Sequence, residues 1–307
     1  MSHAAIAGLF ITTLALAVPL LLAALGEIVV EKSGLINVGI EGMMLTGALA
    51  AFAVTVGTHS PWLGALASAG SGIMLALLFA LLSLAFEADQ VVVGTAINIL
   101  ALGLTGVFYH ALLNVMPAVP ETAAFVPISI PILAHLPIVG RALFAQNALA
   151  YLAFLMVPVV WAFLNRTRPG LALRAVGEHP VAADAAGFSV LRIRALALVF
   201  GGAMAGLAGA YLSIAYTFGF AQQMSGGKGF IALAVVIVGR WSPVGALLAA
   251  LLFGFASALQ FFFQAVNTPI PYQFFLALPY VLTLAALVVR AGRVAAPARL
   301  GEPYQRS

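Results

Sequence analysis

Runs of about 20 apolar residues recur from one end of this chain to the other, and no other feature constrains its fold as strongly. A run of that length crosses the hydrocarbon layer of a bilayer as a helix. A transmembrane β-barrel would instead alternate apolar and polar residues in segments of about ten. With 64% hydrophobic and only 7% charged residues over 307 positions, the chain has too little polar surface for a soluble globule, in which about a quarter of residues are charged. The fold class is therefore all-α: a polytopic transmembrane helical bundle forming a single domain, 1–307. The net charge of +4 does not indicate nucleic acid, because no solvated basic domain is present to bind it. Zero cysteines exclude disulfides and cysteine-based metal sites. The first run, Ala5 to Gly26, follows residues without Lys or Arg and exceeds a usual signal core, so it reads as a retained helix.

Apolar spans fall at 5–26, 34–57, 61–86, 91–114, 147–165, 195–216, 228–241, 243–265 and 274–290, about nine crossings within a range of about eight to ten. One polar island interrupts them. Residues 166–194 hold seven charged residues, Arg166, Arg168, Arg174, Glu178, Asp184, Arg192 and Arg194. With this island placed in the cytoplasm, eleven of the 13 Lys and Arg lie inside and only Arg141 and Lys228 outside, as expected where positive residues gather on the inner face. The N-terminus is then outside and the C-terminus inside. Residues 115–146, with five of the 16 prolines, read as a structured external loop, because proline density opposes a spanning helix. Residues 291–307 read as a polar cytoplasmic tail.

Two spans are broken by glycine. GLINVGIEGMMLTG (Gly34 to Gly47) carries four glycines and a carboxylate, and SGGKGFIALAVVIVGRWSP (Ser225 to Pro243) opens with three glycines around Lys228. Interrupted backbone survives in a membrane only where protein or a water-filled cavity satisfies it, so both segments point toward a central path. Glu41 is the clear intramembrane acid, and it must face the bundle interior. It either hydrogen-bonds a neighbouring helix or serves the substrate path, and Asn37, one helical turn away, can share either role. Asn98 reads as a bond between helices. Phe218 and Phe230 can stack on a ring-shaped solute or simply fill core and interface. Gly201, Ala205 and Gly209, with Gly202, Gly206 and Ala210, form small-residue stripes for close helix packing. SGGKG lacks the Ser or Thr and the upstream glycine of a phosphate loop, and no HExxH motif or catalytic constellation is present.

Within the island, Pro180 can open and Gly187 can close a helix of about two turns rich in alanine. Such a helix is too short to persist alone in water, so it docks against something; the alternative is a solvated loop whose charges only set topology.

RAVGEHPVAADAAG (Arg174 to Gly187) resembles the cytoplasmic coupling segment of inner-membrane permease subunits of ABC importers in the ribose and nucleoside branch. SGLINVGIEGMMLTGA, ADQVVVGTAINILALGL, GKGFIALAVVIVGRWSPVGALLAALLFG and LPYVLT extend the resemblance over most of the chain. Glu41-Gly42, Asp89-Gln90 and Lys228-Gly229-Phe230 resemble most the nucleoside subgroup with a lipoprotein-type receptor. The resemblance implies a subunit that is no enzyme and binds no cofactor itself. Two permease subunits, identical or homologous, would form the pore, a cytoplasmic ABC ATPase would bind ATP and Mg, and an extracytoplasmic binding protein or lipoprotein would deliver the solute. Arg174, Gly177, Glu178, Pro180, Ala183, Asp184 and Gly187 would form the contact with the ATPase. Asn37, Glu41, Asn98, Phe218, Lys228 and Phe230 are the path candidates. The competing readings are a secondary transporter driven by an ion gradient, a ribose-type sugar permease and a membrane scaffold without transport.

Overall fold

A computed structural model of the chain describes residues 3–115, 124–129, 140–265 and 296–304, together with Gln273, Phe274, Ala277, Val281 and Ala285. Helices α1 (His3–Lys32), α2 (Ile40–Thr58), α3 (Pro61–Ala80) and α4 (Gln90–Val115) form the first half. Then come strand β1 (Ile128–Ser129), helix α5 (Gly140–Phe144) and strand β2 (Ala145–Gln146), the strands pairing antiparallel. Helices α6 (Ala148–Arg166), α7 (Arg168–Glu178), α8 (Pro180–Ala185), α9 (Val190–Ala210), α10 (Lys228–Val238) and α11 (Pro243–Ala265) follow. The ladder of α3 widens into a π-helical turn at Leu81–Ala85 and that of α9 at Tyr211–Tyr216.

Seven of these helices, among the described residues, are long and apolar enough to cross a membrane. They match seven of the nine sequence-derived spans. The seventh, 228–241, is corrected: α10 has 11 residues, about 16 Å at 1.5 Å per residue, roughly half of a 30 Å hydrocarbon layer. The ninth, 274–290, and the motif LPYVLT lie almost wholly outside the described residues.

Local chemistry sets the helix starts. Ser60 caps α3, its hydroxyl accepting from Leu63 N–H with Pro61 in the first turn. Asp89 caps α4 by accepting from Val91 N–H at 2.9 Å and Val92 N–H at 3.0 Å. Asn147 caps α6 by accepting from Ala150 N–H at 2.9 Å. Each cap meets N–H groups that the first helical turn leaves without partners.

The small-residue stripes do the packing expected of them. A Cβ on Gly202 would collide with Gly72 and Ala76 of α3, one on Gly206 with Ser68, and one on Gly209 with Met44 of α2. Ser68 Oγ donates to the carbonyl of Gly206 across this seam. Helix α9 thus sits backbone to backbone against α2 and α3, where Leu or Val would hold them apart.

Several bonds gather elements at one end of the bundle. Gln90 accepts from Ile36 N–H at 2.8 Å, which places the start of α4 beside the turn after α1. Trp241 Nε1 donates to Glu31, which brings the end of α10 there too. The described tail, 296–304, binds at this same end through Gly34 and Gly177. Since α1 is 30 residues long, its N-terminus lies at the opposite end from the tail. Of the loop 115–146, Phe125 docks on the bundle: its N–H donates to Ile214 at 3.1 Å and its ring packs edge-on against Trp62.

Candidate functional site

The two glycine-broken segments meet. The chain leaves α1 at Lys32, turns at Gly34 and runs back without helix to Ile40, so α2 begins inside the bundle. Asn37 N–H donates to Glu27 at 2.9 Å, which fixes that return at the depth of Glu27. Asn37 therefore does not lie one helical turn from Glu41, as the sequence suggested. It precedes α2, fully buried, and its side chain accepts from Gly39 N–H at 3.0 Å.

Glu41, in the first turn of α2, points at the start of α10. Its carboxylate accepts from Gly227 N–H at 2.8 Å through Oε1 and from Gly229 N–H at 2.7 Å through Oε2. A carboxylate at a helix N-terminus satisfies donors that lipid cannot and complements the helix dipole. Two glycines make this approach possible. Gly227 has φ +81°, the left-handed region that favours glycine, and a Cβ on Gly229 would lie 2.6 Å from the Glu41 backbone. Asn98 of α4 completes the junction by accepting from Gly42 N–H at 2.8 Å and donating to Val38 at 3.0 Å.

A cavity of about 290 Å³ opens at this junction, lined by Glu41, Asn98, Leu102, Gln223, Ser225 and backbone from Gly226–Gly227. Its volume is at the lower end of the range for small-molecule sites. A larger cavity of about 620 Å³ between α2, α3 and α4 is walled by groups such as Leu49, Met74, Leu75 and Phe108. It offers almost nothing to a polar solute. Lys228 lies beside the polar cavity, its ammonium donating to Ser225 at 3.2 Å. Phe218 and Phe230 are about half exposed and do not line it. The buried aromatic group nearby is Phe220, packed against Phe52 and edge-on against Tyr109.

At the tail-bearing end, the polar island forms two helices. Thr167 caps α7, accepting from Gly170 N–H at 3.1 Å, and Pro169 sits in its first turn. The sequence had suggested only the second helix, α8, which Pro180 opens at its first turn. Arg174 is half-buried on α7. Gly177 is packed so tightly that a Cβ would strike the carbonyl of Lys32. Glu178 is exposed and accepts from Ala298 N–H at 3.2 Å. Pro180 and Ala183 face inward, Ala183 clustering with Val176 and Val190, while Asp184 is half-buried. Gly187 has φ +89° and open space around it. The outer face of α8 is bare, with Val181 65% exposed.

Sequence reasoning missed three buried charged groups. Glu27 and Glu31 are 1% and 3% exposed, because α1 continues to Lys32 instead of ending near Gly26. Glu41 is thus not alone as a clear intramembrane acid. Arg194, taken as a loop charge, is 1% exposed within α9 and donates through Nε to Ser33 at 3.2 Å. The signal that could have revealed the acids is their spacing of four, which puts both on one helix face.

No solved structure matches the chain. A putative glucose ABC transporter permease of Haloferax volcanii is 39% identical, the match covering 98% of each chain. A guanosine ABC transporter permease of Bacillus subtilis is 37% identical over 95% of this chain and 94% of its own. A nucleoside ABC transporter permease of Lactococcus lactis is 34% identical over 94% of each. The family described as the permease component of branched-chain amino acid transport systems matches residues 9–287, so the chain belongs to that family of ABC transporter permeases.

Proposed function

We propose that this multi-pass permease carries a nucleoside, or a related small polyhydroxylated solute such as a sugar, inward across a bacterial inner membrane. Its N-terminus lies outside and its tail in the cytoplasm. An extracytoplasmic binding protein or lipoprotein delivers the solute, a second permease subunit completes the pore, and a cytoplasmic ATPase binds ATP and Mg and drives the cycle. The observation that carries the path reading is the polar cavity at the Glu41–α10 junction. There the chain gives up regular helix inside an apolar bundle, which is tolerated beside a solute path. Glu41 and Asn98 hold the junction in shape and edge the cavity, and Lys228 adds positive charge at its margin. Asn37 supports α2 from below. Phe218 and Phe230 stand further out, where they can meet a ring-shaped solute only along the route to the cavity.

Coupling is assigned to the Arg174–Gly187 segment, which presents the exposed face of α8 beside Glu178 and Asp184. A short helix held from within by Pro180 and Ala183 can be pushed as a unit, and both of its positions can bias the inward and outward states.

The test uses the assembled transporter in proteoliposomes with ATP inside and labelled guanosine or glucose outside, delivered by its binding protein. Deleting 180–187 is expected to abolish uptake while ATP hydrolysis continues. Normal uptake by that variant would refute the coupling assignment. Uptake without ATP by the chain alone would replace the whole reading with an ion-driven one.

A further inference from the structure

Residues 296–304 are more than a solvated tail. Backbone N–H groups of Arg299 and Gly301 donate to Gly177 at 3.1 Å and to Gly34 at 2.9 Å, and Ala298 N–H donates to the Glu178 carboxylate at 3.2 Å. From below, buried Arg194 donates through Nη1 to the Glu302 carbonyl at 3.1 Å, while its Nε holds Ser33. Tyr304 packs on the cluster of Val176, Ala183 and Val190 that joins α7, α8 and α9. One stretch of nine residues therefore touches the turn after α1, the end of α7, the inner side of α8 and the start of α9.

Its backbone is committed to that position. Gly301 has φ +78°, and a Cβ there would lie 3.0 Å from Ile36. Helix α8, with six residues, cannot hold a place by its own hydrogen bonds. What fixes it is the packing behind it on α7 and α9, to which the tail adds Tyr304. A groove of about 490 Å³ lies between the exposed face of α8, at Val181 and Ala185, and Arg299, Pro303 and Tyr304 of the tail.

From this juxtaposition we propose that residues 296–304 form a brace: they tie the coupling segment to α9 and to the turn that joins α1 to α2, so a push on α8 is carried into the helices around the Glu41 cavity. The brace rests on the coupling reading above. Without it, α8 yields locally while the path helices stay where they are, and hydrolysis runs without transport. A rigid connection with two positions is what such coupling requires.

Two variants of the full transporter test this, a chain ending at Ala295 and the point change Gly301→Val, each assayed for uptake per ATP hydrolysed. The expected result is a fall of about tenfold in that ratio, the size of an ordinary coupling between sites. Amide hydrogen exchange should rise in 174–187 while α2 and α3 stay protected. An unchanged ratio in both variants overturns the brace. So does loss of the ATPase from the purified complex, which would make the tail a binding element, and so does loss of protection throughout, which would make it a general folding element. Deletion of 180–187, run in parallel, separates the two ideas. If that deletion leaves uptake intact, the coupling reading fails; if it uncouples and the tail variants do not, only the brace fails.

Discussion

The chain interrupts its helices in two places that matter, the Glu41 junction and the arginine-rich end, and it closes them by opposite means. At the junction, a carboxylate from α2 reaches the first N–H groups of α10, and the glycines there leave no room for a side chain. At the other end, the last carbonyls of α7 and of the turn after α1 are met by a segment from the far end of the chain, and much of α8 is left bare. The first closure is internal, made by side chains of the bundle itself, as suits a break in backbone that lipid cannot satisfy. The second leaves a surface that another protein can finish. A break sealed from within can position a cavity, whereas a break left open on one face can receive a push.

Substitutions at the two ends should therefore differ in kind. The largest effect is expected for Gly229→Val: its side chain has no space beside the Glu41 backbone, so stability should fall by about 3 kcal/mol or more, read as a lower thermal unfolding temperature in detergent. Retention of wild-type stability would break the claim that the junction is tightly closed. Next, Glu41→Ala leaves Gly227 and Gly229 N–H without acceptors and should cost about 2 kcal/mol. Glu41→Gln, which keeps one acceptor oxygen, should cost about half as much and still lower uptake through the lost charge. Equal uptake kinetics for Glu41→Gln and wild type would reduce Glu41 to a helix cap. A smaller loss, about 1 kcal/mol, is expected for Asn98→Ala, which removes one bond to Gly42 and one to Val38.

At the open end the order reverses between stability and function. Glu178→Lys, which gives up the exposed bond to Ala298, should cost about 1 kcal/mol or less, yet lower uptake per ATP. A stability loss as large as that of Glu41→Ala would erase the distinction between the two closures.

Much of this organisation was legible in the residues. Apolar runs located the seven crossing helices because the bilayer sets their length. The glycine stripes of α9 marked a packed seam. The misses share a cause. Arg194 looked like a loop charge, and Glu27 and Glu31 fell between two apolar spans, because hydropathy counts a charge the same whether water or protein surrounds it. Asn37 looked helical because four glycines do not say which way the chain turns. The tail looked solvated because its partners, Gly34, Gly177 and Arg194, are distant in sequence and it meets all three through backbone groups that every residue carries.

The sequence by itself determined that this is a membrane bundle, roughly where its long apolar helices lie, and which family motifs it carries, since these depend on local composition and spacing. Only the tertiary structure decided that Glu41 closes α10, that the two broken segments share one cavity, and that the tail binds Gly177 and Glu178. Those depend on which unsatisfied backbone groups come within 3 Å or so of one another, and in an interior without water each such group must find its partner across the fold.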